Sequence, residues 1–239
     1  MLSSQHTHAD ASHGSPVPES CNPRPATAIG CGYTESKWVA ESILTKAAEQ
    51  TALRPSIIRL GQSCGGRNGS WNPREWFPTL IRSAQILRCI PQPPGEHRLS
   101  WTPVYDIATA IMEMRNSDEL FLNLTHPNPT PASPIFEALA DILNLPLVTY
   151  SEWLVALEAS IRAPNGREAL RNPALILLDF YRSACNSADS PSEVFGSVPV
   201  ATSRAMQAAP NLCHVLKQLS RKDVESWVHY WRKIGFLAP

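Results

Sequence analysis

The sequence predicts an α/β protein: a few parallel strands joined by crossover connections, then an appended, mainly helical region. Three observations carry this. Between Thr34 and Gln50 the apolar residues Val39, Ile43, Leu44 and Ala47 recur at helical spacing. The following "RPSIIRL" is a compact apolar run bounded by Pro55 and Gly61, as a short buried strand requires. Beyond a second such run, "LFLNLTH", the periodicity is almost entirely helical. Helix leading into buried strand implies a crossover unit, and the later helices a separate layer. The division falls into residues 1–125, an α/β core with a loop at 5–32, and residues 126–239, the helical region.

The elements follow in order. Residues 5–32 are rich in His, Ser, Pro and Ala without periodicity, and "SPVPESCNPRP" cannot continue a helix or a central strand, so a long loop is expected. His6, His8 and His13 lie in it, but their irregular spacing and single nearby acid, Asp10, favour a solvated loop over a metal site. "GQSCGGRNG" after the first strand matches neither G-x-G-x-x-G nor a P-loop. "NPREWFPTLIRSAQILR" is helical after Pro78, which is tolerated only in a first turn. "LSWTPVYDIATAIMEM" reads as a strand end entering a helix, with Asp106 near its start. Helices are then expected over 134–144, 151–161, 168–184 and 220–234, the last framed by Ser220 and Asp223 as a capping box and stopped by Gly235.

Composition excludes several function classes. Twenty-one basic residues balance twenty-one acidic ones and are scattered, so no nucleic-acid footprint is present. Six cysteines lie far apart without C-x-x-C spacing, which reads as free thiols in a reducing, cytoplasmic setting. No apolar run approaches the roughly 18 residues of a membrane span.

The stretch "GYTESKWVAESIL" places Tyr33 and Lys37 four apart, on one face of the first helix. With five tyrosines in the chain, an accidental Tyr-x-x-x-Lys is unsurprising, and a packed aromatic beside a solvated lysine explains the pair equally well. Trp71, Trp76 and Trp153 are candidates for lining a ligand pocket, with core packing as the ordinary alternative.

Several segments agree in order with one family. "LSS" at 2–4, "GYTESKWVAESIL", "RPSIIRLGQSCGG", "NPREWFPTLI", "WTPVYDIATAI", "LPLVTYSEWLVALE" and "DVESWVHYWRKIGFL" together resemble the thioester reductase domains of fungal nonribosomal-peptide-synthetase-like and polyketide synthase enzymes. These are members of the extended short-chain dehydrogenase/reductase superfamily, of the male-sterility, NAD-binding type. The resemblance implies a Rossmann-like parallel sheet with a helical substrate-binding region. It also implies NADPH as hydride donor, and as partner a phosphopantetheinylated acyl-carrier domain whose thioester is reduced to an aldehyde or alcohol in secondary metabolism. Tyr33 and Lys37 match the catalytic pair, and Ser4 the third catalytic hydroxyl. Tyr33, Lys37 and Gln62 match cofactor-contacting positions, whereas Asp106 matches a structural one. The chemistry suits these side chains: a phenol gives up its proton reluctantly at neutral pH, an adjacent ammonium eases it, and paired hydroxyls polarise a carbonyl as charge develops on oxygen.

The pattern breaks at the amino terminus. The family's glycine-rich turn, which holds pyrophosphate at a helix N-terminus, has no counterpart in these 239 residues. The expectation is therefore an incomplete reductase, corresponding to the family's carboxy-terminal part and completed by an amino-terminal half. The alternative is a catalytically silent fragment that keeps a carrier- or substrate-binding surface.

Overall fold

The computed structural model describes residues 2–4, 16–21, 24–29, 32–93, 97–161, 172–186 and 199–239. Contacts gather the chain into two compact units, one of Met1–Cys64, Ser100–Pro129 and Ser197–Lys217, the other of Gly65–Leu99, Thr130–Gly196 and Gln218–Pro239. The sequence reading cuts the chain once, at 125/126; the contacts give each unit three separate stretches.

The first unit is α/β. Strands β1 (Leu2–Ser4), β2 (Ile57–Leu60) and β7 (Phe121–Leu124) pair in parallel in the order β1-β2-β7. Their last residues, Ser4, Leu60 and Leu124, stand in register. Helix α1 (Gly32–Gln50) lies between β1 and β2 in the chain, the crossover that parallel neighbours require. Beyond β2, β3 (Ser63–Cys64) pairs in parallel with β6 (Thr102–Pro103), which leads straight into α3 (Val104–Met114). Two short helices, α7 (Ser203–Ala208) and α8 (Pro210–Val215), complete the unit.

Strand residues alternate between faces. Ile58, Leu60, Leu122 and Leu124 form an apolar core with Ile107, Ala110 and Met114 of α3 and with Ala205, Ala209 and Leu212. The opposite parity, Ile57, Arg59, Phe121 and Asn123, is equally buried but carries a guanidinium and an amide.

The second unit contains α2 (Trp76–Leu87), α4 (Ala132–Leu143), α5 (Tyr150–Ser160), α6 (Leu178–Asn186) and α9 (Arg221–Lys233). Two small sheets join them: β4 (Ile90–Gln92) parallel to β9 (Leu147–Thr149), and β5 (Arg98–Leu99) antiparallel to β8 (Thr130–Pro131). Local chemistry sets the ends. Pro78 sits in the first turn of α2, while Arg88 and Asn144 adopt left-handed conformations that stop α2 and α4. Capping boxes start α5 (Thr149 with Glu152) and α9 (Ser220 with Asp223).

An aromatic cluster fills the interior, with Trp71 stacked on Phe77 at 5.1 Å and edge-on to Trp227 at 5.0 Å. Gly69, at φ 76°, lies so close to α9 that a Cβ there would fall 1.9 Å from the Ser226 carbonyl oxygen.

Two expectations change. The helix expected over 168–184 is a 3₁₀ turn at Pro173–Leu177 followed by α6, because Asn172 caps the Ala174 N–H and Pro173 opens the turn; residues 168–171 lie outside the described residues. The expected loop at 5–32 includes a 3₁₀ turn, Pro25–Ala28, and a strap in which Val17 bridges Val200.

Candidate functional site

Helix α1 carries the Tyr-Lys pair at its amino end. The Thr34 hydroxyl donates to the Ala28 carbonyl at 2.9 Å and that of Ser36 to the Tyr33 carbonyl at 2.7 Å, fixing the first turn. The Lys37 ammonium lies 5.3 Å from the centroid of the Tyr33 ring, and Tyr33 as a residue is 59% exposed. Spacing and structure therefore bring these two together.

A helix crossing between parallel strands runs antiparallel to them, so its amino end stands at their carboxyl ends. Glu41, beside Arg59 of β2, fixes the level: Tyr33 lies two turns up from it, about 12 Å at 1.5 Å per residue. Ser4 ends β1, and Gln62 follows β2 by two residues, at the same edge. The side chain of Ser4 lies outside the described set. The Gln62 amide donates to the Ser63 carbonyl at 2.6 Å, and the Gln62 carbonyl receives the Thr102 N–H at 2.9 Å. The carboxyl edge of a parallel sheet is where open α/β folds bind ligands.

His126, two residues past β7, sits at this edge and is buried. Its Nδ1 accepts the Asn128 N–H at 3.1 Å, so Nε2 carries the proton and donates to the Lys217 carbonyl at 3.0 Å. Burial holds its pKa below the ordinary imidazole value, against the opposing pull of the Lys217 carbonyl and the Asp106 carboxylate.

The tryptophan candidates belong to the second unit. Trp71 and Trp153 are core residues there, at 4% and 0% exposure, and Trp76 packs on Phe77 and Phe180. A groove of about 690 Å³ along α9, bordered by Lys222, His229 and Lys233, contains none of Ser4, Tyr33, Lys37 or Gln62. Cys21, Cys64 and Cys89 are free thiols. His6, His8 and His13 lie outside the described residues, among which no metal-holding cluster occurs and no helix is long and apolar enough to cross a membrane.

Comparison with known proteins supplies relatives. Residues 13–111 match the NAD-binding family described as male sterility protein. Over 218 residues the chain is 43% identical to adenylate-forming reductase Nps10 of Heterobasidion annosum, covering 87% of this chain and 20% of that protein. It is also 31% identical over 236 residues to the non-reducing polyketide synthase azaA of Aspergillus niger, covering 87% of this chain and 8% of the synthase. The chain is thus similar to male-sterility, NAD-binding proteins and to fungal adenylate-forming reductases.

The fold is recognisable in solved structures. The terminal R domain of the myxalamid pathway superposes with a TM-score of 0.79 at 18% identity, over 99% of this chain and 58% of that domain. An archaeal thiolation-reductase di-domain gives a TM-score of 0.70 at 13% identity, over 98% of this chain and 48% of its own. The chain thus spans about a fifth of Nps10 and somewhat over half of the myxalamid domain.

Within this fold, sequence reasoning missed a buried polar network behind the Tyr-Lys helix. Arg59, fully buried, donates from Nε and Nη2 to the Glu41 carboxylate, at 2.9 Å for Nη2, and its guanidinium lies 4.6 Å from the Phe121 ring centroid. It also donates to the Pro18 carbonyl at 3.1 Å and the Ser20 carbonyl at 2.9 Å. Glu19, between them, accepts the N–H groups of Asn123, Arg204 and Ala205 at 3.0, 2.6 and 2.9 Å. The signal was available: Arg and Asn interrupt two otherwise apolar strands, "IIRL" and "FLNL".

Proposed function

We propose that this chain forms the catalytic and substrate-facing part of an NADPH-dependent reductase that converts a carrier-bound acyl or aminoacyl thioester to an aldehyde or alcohol, in a cytoplasmic secondary-metabolic pathway. The observation that carries the reading is the Tyr33–Lys37 pair, ammonium beside ring, at the carboxyl edge of the parallel sheet. In this reading the Tyr33 hydroxyl donates to the thioester carbonyl oxygen, joined by Ser4, and so stabilises negative charge as it develops there. Lys37 supplies positive charge to the phenol and hydrogen bonds to a ribose.

The residues at this edge fit the nicotinamide end of the cofactor: an ammonium, a phenol and the Gln62 amide are the donor types that a ribose and a carboxamide accept. NADPH, when bound, supplies the hydride. No residue of this chain is assigned to the pyrophosphate, because the sequence holds no G-x-x-G-x-x-G turn. A complementary nucleotide-binding half is therefore part of the proposal. The adduct expels the carrier's thiol and leaves the aldehyde, and a second reduction gives the alcohol.

The relatives named as synthases and the di-domain that joins a thiolation domain to a reductase support a carrier as the presenting partner. A tether raises local concentration to about the millimolar range, so docking can carry specificity while the acyl pocket binds weakly.

A single-turnover assay with the nucleotide-binding half present tests this. It compares a carrier-loaded acyl thioester with the same acyl group on a short thiol and as a free acid. Carrier-bound substrate should react fastest, and Tyr33→Phe should lower turnover by about 10² to 10⁴, the usual contribution of general acid catalysis. Equal rates on carrier and short thiol remove docking. Full turnover by Tyr33→Phe removes this tyrosine from the mechanism, and no turnover by the unaltered protein leaves a silent binding module.

A further inference from the structure

We infer that Arg59 is a positioning residue for the proposed reaction: a buried guanidinium that sets both the helix carrying Tyr33 and Lys37 and the strap that precedes it. The inference rests on the catalytic reading of that pair, and no family motif enters it.

The geometry is that of a hub. Arg59 extends from the middle of β2, beside Ser3 of β1, into the face of the sheet opposite the aliphatic core. Four of its hydrogen-bonding directions are used on two different targets. The fork grips the Glu41 carboxylate, which stands one helical turn beyond Lys37 and two beyond Tyr33, so the three side chains fall along one side of α1. The remaining edge takes the carbonyls of Pro18 and Ser20. Between those carbonyls, Glu19 is turned the other way, onto β7 and the first turn of α7. Asn123 of β7 adds a bond to the Val17 carbonyl at 3.1 Å. Residues 17–20 are thus held at every position.

Alternative roles for Arg59 fail on energetics. A buried ion pair is a poor stabiliser, because desolvating two charges offsets much of their attraction, and an apolar pair of similar volume often does as well. What an apolar pair lacks is direction. A planar fork bonded to a carboxylate fixes the rotation and the height of α1 along β2, which aliphatic packing leaves free to slide. Apolar packing holds helix α1 weakly: among its described residues Glu41 is the one fully buried side chain, while Val39 and Ile43 are 49% and 61% exposed. A shift of about an ångström between a reacting group and its substrate costs on the order of 10²-fold in rate. The hub therefore acts on the Tyr33 hydroxyl and the Lys37 ammonium through α1, without touching the reacting atoms.

The test is the double variant Arg59→Met with Glu41→Leu, which removes both charges together and strands neither. Its thermal midpoint should stay within a few degrees of the parent's. With the nucleotide-binding half present, kcat should fall at least tenfold while KM for the carrier-bound thioester stays within twofold. Glu41→Gln, which keeps an oxygen for the fork and is the safer variant to fold, should lower kcat by a smaller factor. Parental kcat in a folded double variant overturns the inference.

Tyr33→Phe is run beside these variants. If it retains turnover, the catalytic reading has failed, and amide hydrogen exchange on the chain alone decides about the hub. Faster exchange in α1 and residues 17–20 of the double variant upholds the anchoring by Arg59; parental exchange overturns it.

Discussion

The Arg59-bearing face of the first unit's sheet and the interior of the second unit are both closed to solvent, yet they are built from opposite materials. The first holds Arg59, Glu41, Glu19 and Asn123, joined by at least eight directional bonds to one another and to backbone groups. The second holds Trp71, Phe77, Phe136, Trp227 and Trp231 in ring-to-ring contact, with polar links at the ring edges, such as the Trp231 Nε1–H to the Trp71 carbonyl at 3.1 Å and the Trp71 Nε1–H to the Glu75 carboxylate at 2.9 Å. Aromatic burial supplies large stabilisation with little angular constraint. Ionic networks supply little net stability and strong angular constraint. The constraint lies beside the helix that bears the proposed chemistry, and the bulk aromatic stabilisation lies in the second unit. Interior composition here follows what each interior must hold still.

The contrast breaks most easily at Trp231. Trp231→Ala empties a fully buried site and takes the indole donor from the Trp71 carbonyl, for an expected loss of roughly 3–5 kcal/mol in denaturant unfolding. Next in size is Glu19→Ala, for an expected total of about 2–3 kcal/mol: the part-buried Arg204 N–H turns to water, and the two buried N–H groups, of Asn123 and Ala205, each lose about 1–1.5 kcal/mol, the low end of the usual cost because water enters the space the carboxylate leaves. Glu19→Gln, retaining an acceptor oxygen, should lose less than the alanine variant. A larger loss for Glu19→Ala than for Trp231→Ala would invert the comparison, making the polar face the stability core. Smaller again is Thr149→Ala, which removes the side-chain half of the α5 capping box, for about 1 kcal/mol in the same measurement.

Much of this architecture is legible in the letters, for physical reasons that differ by element. Helix α1 and strands β2 and β7 declare themselves through local periodicity, and α9 through its Ser220–Asp223 box and the positive φ of Gly235. Strands β3 and β6 are two residues long and exist only because Ser63 and Cys64 meet Thr102 and Pro103 from far along the chain. Helices α7 and α8, six residues each, are too short to display a period, and α7 receives its cap from Glu19, 185 residues before Arg204. The Tyr33–Lys37 pair is local, at i and i+4, and so is legible in the sequence. The Arg59–Glu41 pair spans 18 residues, and the carbonyls it binds belong to a proline-rich stretch without periodicity, so no local rule connects them.

His126 offers the finest probe of the first unit, because it belongs to neither pattern: a neutral, buried imidazole held by two backbone groups. Protonation would place a second N–H at Nδ1, against the Asn128 N–H that this nitrogen now accepts, so the fold favours the neutral ring. Its folded pKa is lowered, chiefly by burial, from an unfolded value of about 6.5. Between the two values the unfolded chain binds more protons, so stability rises with pH across that window. The contribution is fully present above the unfolded pKa and is lost as pH falls through the window. Unfolding free energies of the parent and of His126→Gln, measured from pH 7.5 down to about 5, should therefore converge on acidification, the parent losing more. Asp106 pulls the other way, its carboxylate favouring the charged ring. The substitution Asp106→Asn removes that carboxylate, so it should lower the folded pKa further and extend the loss to lower pH. A gap between parent and His126→Gln that widens on acidification would mean that the folded protein holds this imidazole as a cation, with Asp106 rather than burial in control.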